Sequence, residues 1–338
     1  MRILASLFCI ALALTAQSPR KSGSPLDSLP RNIEVLTHFG ERADFSPDNR
    51  EVAFMDKSFG DAFAIDLKSR AIRCLTCNVP AAVFLRVMHL STGDYLLIGP
   101  EKFTDIHVSR SRDNELWFLS RKPGSKPIRF GQKMSEGAAI SKKSLRISYS
   151  ETSAQNPQLA KDASNLIVAE VDLSGNSPVL KNKQVVYSSP DNRCRLEAQD
   201  FFDNDSKMTF TCYEPKGMAS VQTIDLKTKQ IVNQSKNIGS YNEVEGIFPD
   251  GLSTCVESDH QGVQMGSTNL FRDIDIWKLR LDGTGSSFER LTHFNDYEGW
   301  KASNPVVSTD GRMMAFQVAR TADEAGVGYG ILLMYFRP

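Results

Sequence analysis

A hairpin signal that recurs six times constrains this chain more than any other feature. In two copies the tetrapeptide Leu-Thr-His-Phe, at 36–39 and 291–294, precedes a turn between two apolar runs: Ser46-Pro47-Asp48-Asn49 in the first and Ser308-Thr309-Asp310-Gly311 in the second. Asp-Asn and Asp-Gly are tight-turn pairs, because Asn and Gly accept positive φ at little cost. Weaker copies begin at Ser91, Ser141, Asp203 and Phe248, so the six hairpins start at residues 46, 91, 141, 203, 248 and 308. A spacing near 45 residues built from strand patterning predicts a propeller rather than a helical solenoid.

The segments after the hairpins complete the pattern. Third strands are expected at 63–67, 116–120, 166–173, 221–226, 274–281 and 331–336, and outer fourth strands at 72–76, 128–130, 185–187, 231–234 and 288–292. The sixth outer strand is missing, while residues 33–37 stand alone before the first hairpin. Pairing that orphan with the last blade would close the ring and hide both open edges. The fold class expected is therefore all-β: a six-bladed propeller of four-stranded blades over residues 33–338, closed by its N-terminal strand.

Leu-Thr-His-Phe, a Ser-Pro-Asp-Asn or Ser-Thr-Asp-Gly hairpin and an Asp-Leu strand together resemble the PD40, WD40-like repeats of the TolB-like six-bladed propellers, over residues 33–336. The resemblance implies a fold and leaves activity open. TolB carries an additional α/β domain before its propeller, whereas only the stretch 17–32 precedes this one, so a role in the Tol envelope system is not implied. Prolyl-oligopeptidase relatives add a hydrolase domain, and no G-x-S-x-G stands in this chain. Cys74-Leu75-Thr76-Cys77 on an outer strand resembles a feature of secreted propellers that include saponin-cleaving glycosidases.

The run 3–16, dominated by Leu, Ala, Ile and Phe, would rise only about 21 Å as a helix, too short for a bilayer core of roughly 30 Å. It has the character of a signal-peptide core, with cleavage expected after Ala16 and a flexible linker at 17–32. The mature protein is thus expected to be extracytoplasmic, secreted or periplasmic, with no later membrane span. Five cysteines remain after Cys9 is removed, so at least one thiol is unpaired within the chain. A Cys74–Cys77 disulfide is expected in an oxidising compartment, and Cys194 and Cys212 form a second candidate pair. Zinc at Cys74 and Cys77 lacks the further ligands a closed site needs. With 40 basic and 40 acidic side chains, nucleic acid is not an expected partner.

Strand alternation gathers the long links, 99–114, 152–164, 258–273, 293–303 and 319–330, on one rim, where binding groups concentrate. His38, His107, His260 and His293 fall there. They are candidate ligands for a divalent metal, or else braces for a repeated loop. Carboxylates are the denser signal: Glu245, Glu257, Asp259, Glu298 and Glu324 are the candidates for acid–base chemistry, with Asp296 beside them. Glu243, His260, Arg272, His293, Trp300, Lys301 and Asp323 are candidate ligand-binding groups, and Tyr241, Tyr297 and Trp300 would suit sugar stacking. Glu257 and Asp259 share a face if their strand continues that far. Two opposed carboxylates could cleave a glycosidic bond, and the same cluster could hold calcium. Two functions follow: binding of a glycan, small glycoside or protein at this rim, or a glycoside hydrolase or lyase using carboxylates of blades five and six. The glycine run 326–330 precedes a strand, not a helix, so it is no phosphate loop.

Overall fold

The computed structural model describes residues 20–236, 240–267, 271–323 and 326–336. The apolar run 3–16 lies outside the described residues. Six four-stranded antiparallel sheets form the molecule. In chain order, blade one is Glu41–Phe45, Glu51–Met55, Ala62–Asp66 and Ile72–Cys74. Blade two is Arg86–His89, Tyr95–Pro100, Asn114–Leu119 and Ile128–Lys133. Blade three is Ala138–Ile140, Arg146–Thr152, Ser164–Asp172 and Val179–Ser189; blade four is Arg195–Phe202, Lys207–Glu214, Met218–Asp225 and Ile231–Asn233. Blade five is Asn242–Ile247, Ser253–Ser258, Asp275–Arg280 and Phe288–Arg290. Blade six takes Trp300–Val307, Met313–Arg320 and Ile331–Tyr335 from the C-terminal end, and its outer strand is Ile33–Val35. The ring closes as expected, with Ile33 opposite Met334, Glu34 opposite Leu333 and Val35 opposite Leu332.

The repeated hairpin has a local cause. Ser46 Oγ donates to Asp48 at 2.7 Å and accepts from the backbone N–H groups of Arg50 and Glu51 at 3.1 and 3.0 Å. Ser308 does the same with Asp310 and Met313 at 2.7 and 2.9 Å. Asn49 at φ 56° and Gly311 at φ 70° occupy the left-handed positions that the turn demands. Blades one and six meet at these turns, where Thr309 N–H donates to Asn49 Oδ1 at 2.9 Å.

The hydrophobic core is divided among the seams between blades. One cluster joins Leu96, Ile98 and Leu116 of blade two to Ile140, Ile147 and Tyr149 of blade three. Another joins Cys255 and Ile276 of blade five to Trp300, Met314 and Phe316 of blade six, and includes Ile33. Blades six and one are further joined by the glycine run. Gly40 N–H donates to Gly328 O at 3.3 Å and Gly330 N–H to Gly40 O at 3.2 Å. An added Cβ on Gly328 would stand 2.7 Å from the carbonyl carbon of Gly40, so close backbone approach accounts for that glycine.

Among the described residues two disulfides are present, Cys74–Cys77 and Cys194–Cys212, and Cys255 is a buried thiol. The stretch expected as a loose linker is, over residues 20–32, laid along blades five and six. Arg20 pairs with Asp273 at 2.7 Å, Trp300 Nε1 donates to Gly23 O at 3.0 Å, and Leu26 and Leu29 pack on the seam. No helix among the described residues is long and apolar enough to cross a membrane.

Ring closure gives a direct expectation. Ile33 is buried in the blade-six cluster, so Ile33→Ala should cost about 2–4 kcal/mol in denaturant unfolding, the range for a core Ile cut to Ala. A loss below about 0.5 kcal/mol would mean that the N-terminal strand does not hold the ring shut.

Candidate functional site

The channel is lined by the first strand of each blade, and along these strands polar residues alternate with apolar ones. Arg195, Glu197 and Gln199 alternate with Leu196 and Ala198 in blade four, and Glu243 and Glu245 flank Val244 in blade five. Residues two apart share a face of a strand. The apolar set enters the seams between blades, and the polar set faces the axis. Four of the first strands are bulged, with register breaks between Glu41 and Asp44, Ala198 and Asp200, Val244 and Ile247, and Ser303 and Val306. Arg42 (φ 54°) and Asn304 (φ 48°) sit at two of these breaks in the left-handed region. Bulges re-aim side chains at functional rims, and Arg42 is held by its N–H to Gln317 Oε1 at 2.9 Å.

Two cavities open at the long-loop rim, of about 210 and 610 Å³, sharing Arg110, Glu136, Tyr241 and Glu243. Between them Glu136 gathers three guanidinium groups. Arg110 grips both of its oxygens, Arg42 Nη2 lies at 2.9 Å and Arg86 Nη2 at 4.0 Å. Burial pushes the Glu136 carboxyl up, but Arg110, Arg42 and Arg86 outweigh it and hold the group far below the usual carboxylate range. Arg86 also stands 3.7 Å from Glu197, whose carboxyl is raised to about 8 by burial and by the charges of Glu136 and Glu243.

Across the mouth, Glu243, Glu245 and Glu257 bring one carboxylate oxygen each within 4.8 Å of the others. The strand register places Glu243 directly opposite Glu257. The hydroxyls of Tyr213 and Tyr241 donate to the two oxygens of Glu243, and Asn304 Nδ2 donates to Glu257 Oε1 at 2.9 Å. Burial and the charge of Glu243 raise Glu257 to about 7 and Glu245 well above its ordinary value. Lys301 lies beside this group, its ammonium pKa lowered by burial against the opposing pull of Glu257 and Glu243.

Of the residues expected here, Glu243, Glu257, Arg272, Lys301 and Asp323 line the smaller cavity, and Glu245 lies deeper in the channel. Others are displaced. The strand carrying Glu257 ends at Ser258, so Asp259 (φ −89°, ψ 12°) leaves its face. Asp259 is fully buried and accepts from the N–H groups of Ser240, Tyr241 and Phe271 at 2.9, 3.0 and 3.2 Å, bracing the loops. Glu298 is exposed and lines neither cavity. Trp300 is buried, with Arg320 stacked 3.7 Å over its ring, and serves the core. Glu324 lies outside the described residues. The rim histidines do not converge into a group of three ligating side chains among the described residues. His38 is exposed, His293 is exposed and 3.5 Å from Asp296, and His107 edges the larger cavity. His260 packs edge-on against Trp277 and Phe288 at 4.9 and 5.5 Å. The cysteines at 74 and 77 are tied to each other, which removes the thiolates that zinc would need.

Arg42, Arg86, Glu136, Glu197 and Tyr213 lie outside the long links, and Arg110, although within the link 99–114, is not among the residues expected to bind. The period-two alternation of charge in the first strands, Arg195-Leu196-Glu197-Ala198-Gln199 above all, is the signal that marks part of this set.

Toward the hairpin rim, charged groups of three blades meet across the channel. Lys142 reaches across from blade three to both oxygens of Asp44 at 2.9 Å, and His89 N–H donates to Asp44 Oδ2 at 2.6 Å. His89 Nε2 lies 3.2 Å from Glu51 Oε1, which also accepts from Tyr95 Oη at 2.6 Å.

No family model matches the chain, and no curated protein matches it. Similarity appears among solved structures. A putative TolB from Agrobacterium tumefaciens superposes with a TM-score of 0.51 at 15% identity, covering 81% of this chain and 97% of that one. An oligogalacturonate lyase in complex with manganese gives 0.52 at 13% identity, over 89% of this chain and 79% of its own. A luciferin-regenerating enzyme gives 0.52 at 10% identity, over 90% and 95%. At these identities the likeness is one of fold: the chain has a TolB-like six-bladed propeller.

The hairpin rim yields a pH expectation. Burial raises Glu51, but hydrogen bonds from His89, Arg73 and Tyr95 outweigh it and bring the carboxyl down to about 2. A folded-state pKa below the unfolded one stabilises above the unfolded pKa, near 4.5, and the contribution is lost as pH falls toward 2. Glu51→Gln should therefore destabilise the protein at pH 7 by on the order of 2–3 kcal/mol. That gap to wild type should close between about pH 4.5 and pH 2 in urea titrations. A gap independent of pH would show that packing, not charge, is what Glu51 contributes.

Proposed function

We propose that the protein is an extracytoplasmic binding propeller that takes a small acidic glycan or glycoside at the long-loop mouth of its channel. The observation that carries the reading is the charge of the 210 Å³ cavity, where Arg42, Arg86, Arg110, Arg272, Lys301 and Arg320 face Glu136, Glu243, Glu257 and Asp323. Six cationic groups against four carboxyls leave an excess of positive charge in a partly desolvated pocket. There a carboxylate or sulfate on a sugar gains charge-assisted hydrogen bonds. Phe271, Tyr241 and Tyr329 supply ring faces on the same wall. The apolar run 3–16, read as an export signal, supports the compartment.

The second reading is a glycoside hydrolase or lyase acting at the same mouth. The juxtaposition of Glu243 and Glu257 favours it. An oligogalacturonate lyase is built on the same scaffold, so the fold admits such chemistry, although fold does not decide activity.

Calorimetry with uronic-acid oligosaccharides and saponin glucuronides beside their neutral counterparts tests both readings. Binding confined to the acidic ligands, weakened about tenfold or more by Arg272→Ala or Lys301→Ala, is the expected result, since one charge-assisted contact contributes about 1.5–3 kcal/mol. Equal binding of neutral sugars, or none of either kind, would overturn it. Turnover of any ligand that vanishes in Glu257→Gln while binding persists would establish the enzyme instead.

A further inference from the structure

We infer that Glu243, Glu245 and Glu257 form a site for a hard divalent cation, calcium above all, set in the channel between the mouth and the deeper cavity. The inference goes beyond the glycan reading and does not depend on it. Two oxygens bound to one calcium at about 2.4 Å stand at most about 4.8 Å apart, and the three carboxylates meet that limit pairwise. Oxygen-only donors of this kind select calcium, magnesium or manganese over softer metals.

The second observation is Glu245 itself. Its residue is 7% exposed, and its Oε1 is buried without a hydrogen-bond partner among the described residues. An unpaired carboxylate oxygen in the interior is costly unless a charge meets it. The other two carboxylates are held in place by neighbouring donors. Tyr213 and Tyr241 each donate to one oxygen of Glu243, and Asn304 holds Glu257 through its side-chain amide. Such outer partners orient ligands at metal sites. The strand register adds to the case, because like charges set directly opposite each other, as Glu243 and Glu257 are, destabilise a sheet.

Two cations face the group. Arg86 approaches from blade two and interacts with Glu245 and Glu243, and Lys301 approaches from blade six and interacts with Glu257 and Glu243. They would balance two of the three charges that the carboxylates carry once a cation ionises them all, and neither donates to Glu245 Oε1. The third charge is left to the ion. Its remaining positions open on the mouth cavity, which Glu243 and Glu257 line and Glu245 does not.

The test uses the full mature chain stripped with chelator, with calcium, manganese and magnesium chlorides added separately and no sugar present, read by calorimetry and thermal unfolding. Calcium at a hundredfold excess over its dissociation constant should raise Tm by about 5 °C. Glu245→Gln and Glu257→Gln should each weaken calcium binding at least tenfold and abolish the rise, whereas Glu298→Gln on the exposed rim should leave both intact. No heat and no Tm change with any of the three metals at millimolar concentration would overturn the site. So would a Tm rise that survives both Glu245→Gln and Glu257→Gln. Because no glycan takes part, failure here leaves the glycan reading standing, and failure of the sugar titration leaves this one.

Discussion

Three residues of the N-terminal segment, Ile33 to Val35, pair with the last strand, and every angular position in the ring depends on that pairing. A propeller is a sheet array bent into a circle, and until it closes, two strand edges stay open to other chains. Closure also decides which side chains share the channel. Arg42 and Lys301 are far apart in sequence, yet they line one cavity because the first and sixth blades are neighbours. The seam is reinforced by the glycine run meeting Gly40 and by the hairpin turns of Asn49 and Thr309. The stretch at 20–32, anchored through Arg20 and the Trp300 indole, extends the same attachment over the outside of the ring.

Since the apolar residues of the first strands are consumed by the seams between blades, the axis is left to charged and polar groups. Buried ion pairs contribute little stability relative to well-packed apolar residues, so a channel lined by Arg42, Arg86, Arg110, Glu136 and Glu197 is a poor way to build a core. It is a good way to build a selective surface. Pre-set donors and acceptors in a partly dry cleft act more strongly than the same groups in water. The guanidinium cluster around Glu136 and the carboxylate cluster around Glu243 lie on the same mouth, so the site is divided into a cationic and an anionic half.

The two ends of the channel differ for a topological reason. Tight turns occupy one rim, and there Lys142, Asp44 and His89 join across three blades. Long links occupy the other, and their side chains stand back far enough to leave cavities of about 210 and 610 Å³. The difference between the two rims follows from strand alternation together with the length of the links.

Much of this architecture is legible in the order of the residues alone. Serine-led turns repeat because each needs the same side-chain caps, so the number of blades, their strand order and the orphan strand at 33–37 can be read directly. The rim of long links, and on it Glu243, Glu257, Arg272, Lys301 and Asp323, follows from alternation. Asp259 escapes that logic because one backbone turn after Ser258 rotates its side chain off the strand face, a change of two dihedral angles that leaves no mark in composition. Trp300 resembles a sugar platform in sequence because an indole suits a core and a binding face equally well. The convergence of Arg42, Arg86 and Arg110 on Glu136 is decided only by the folded ring. Residue order settles which face of a strand a side chain takes, but the bulges at Arg42 and Asn304 and the rotation of each blade about a common axis settle whether faces from different blades meet.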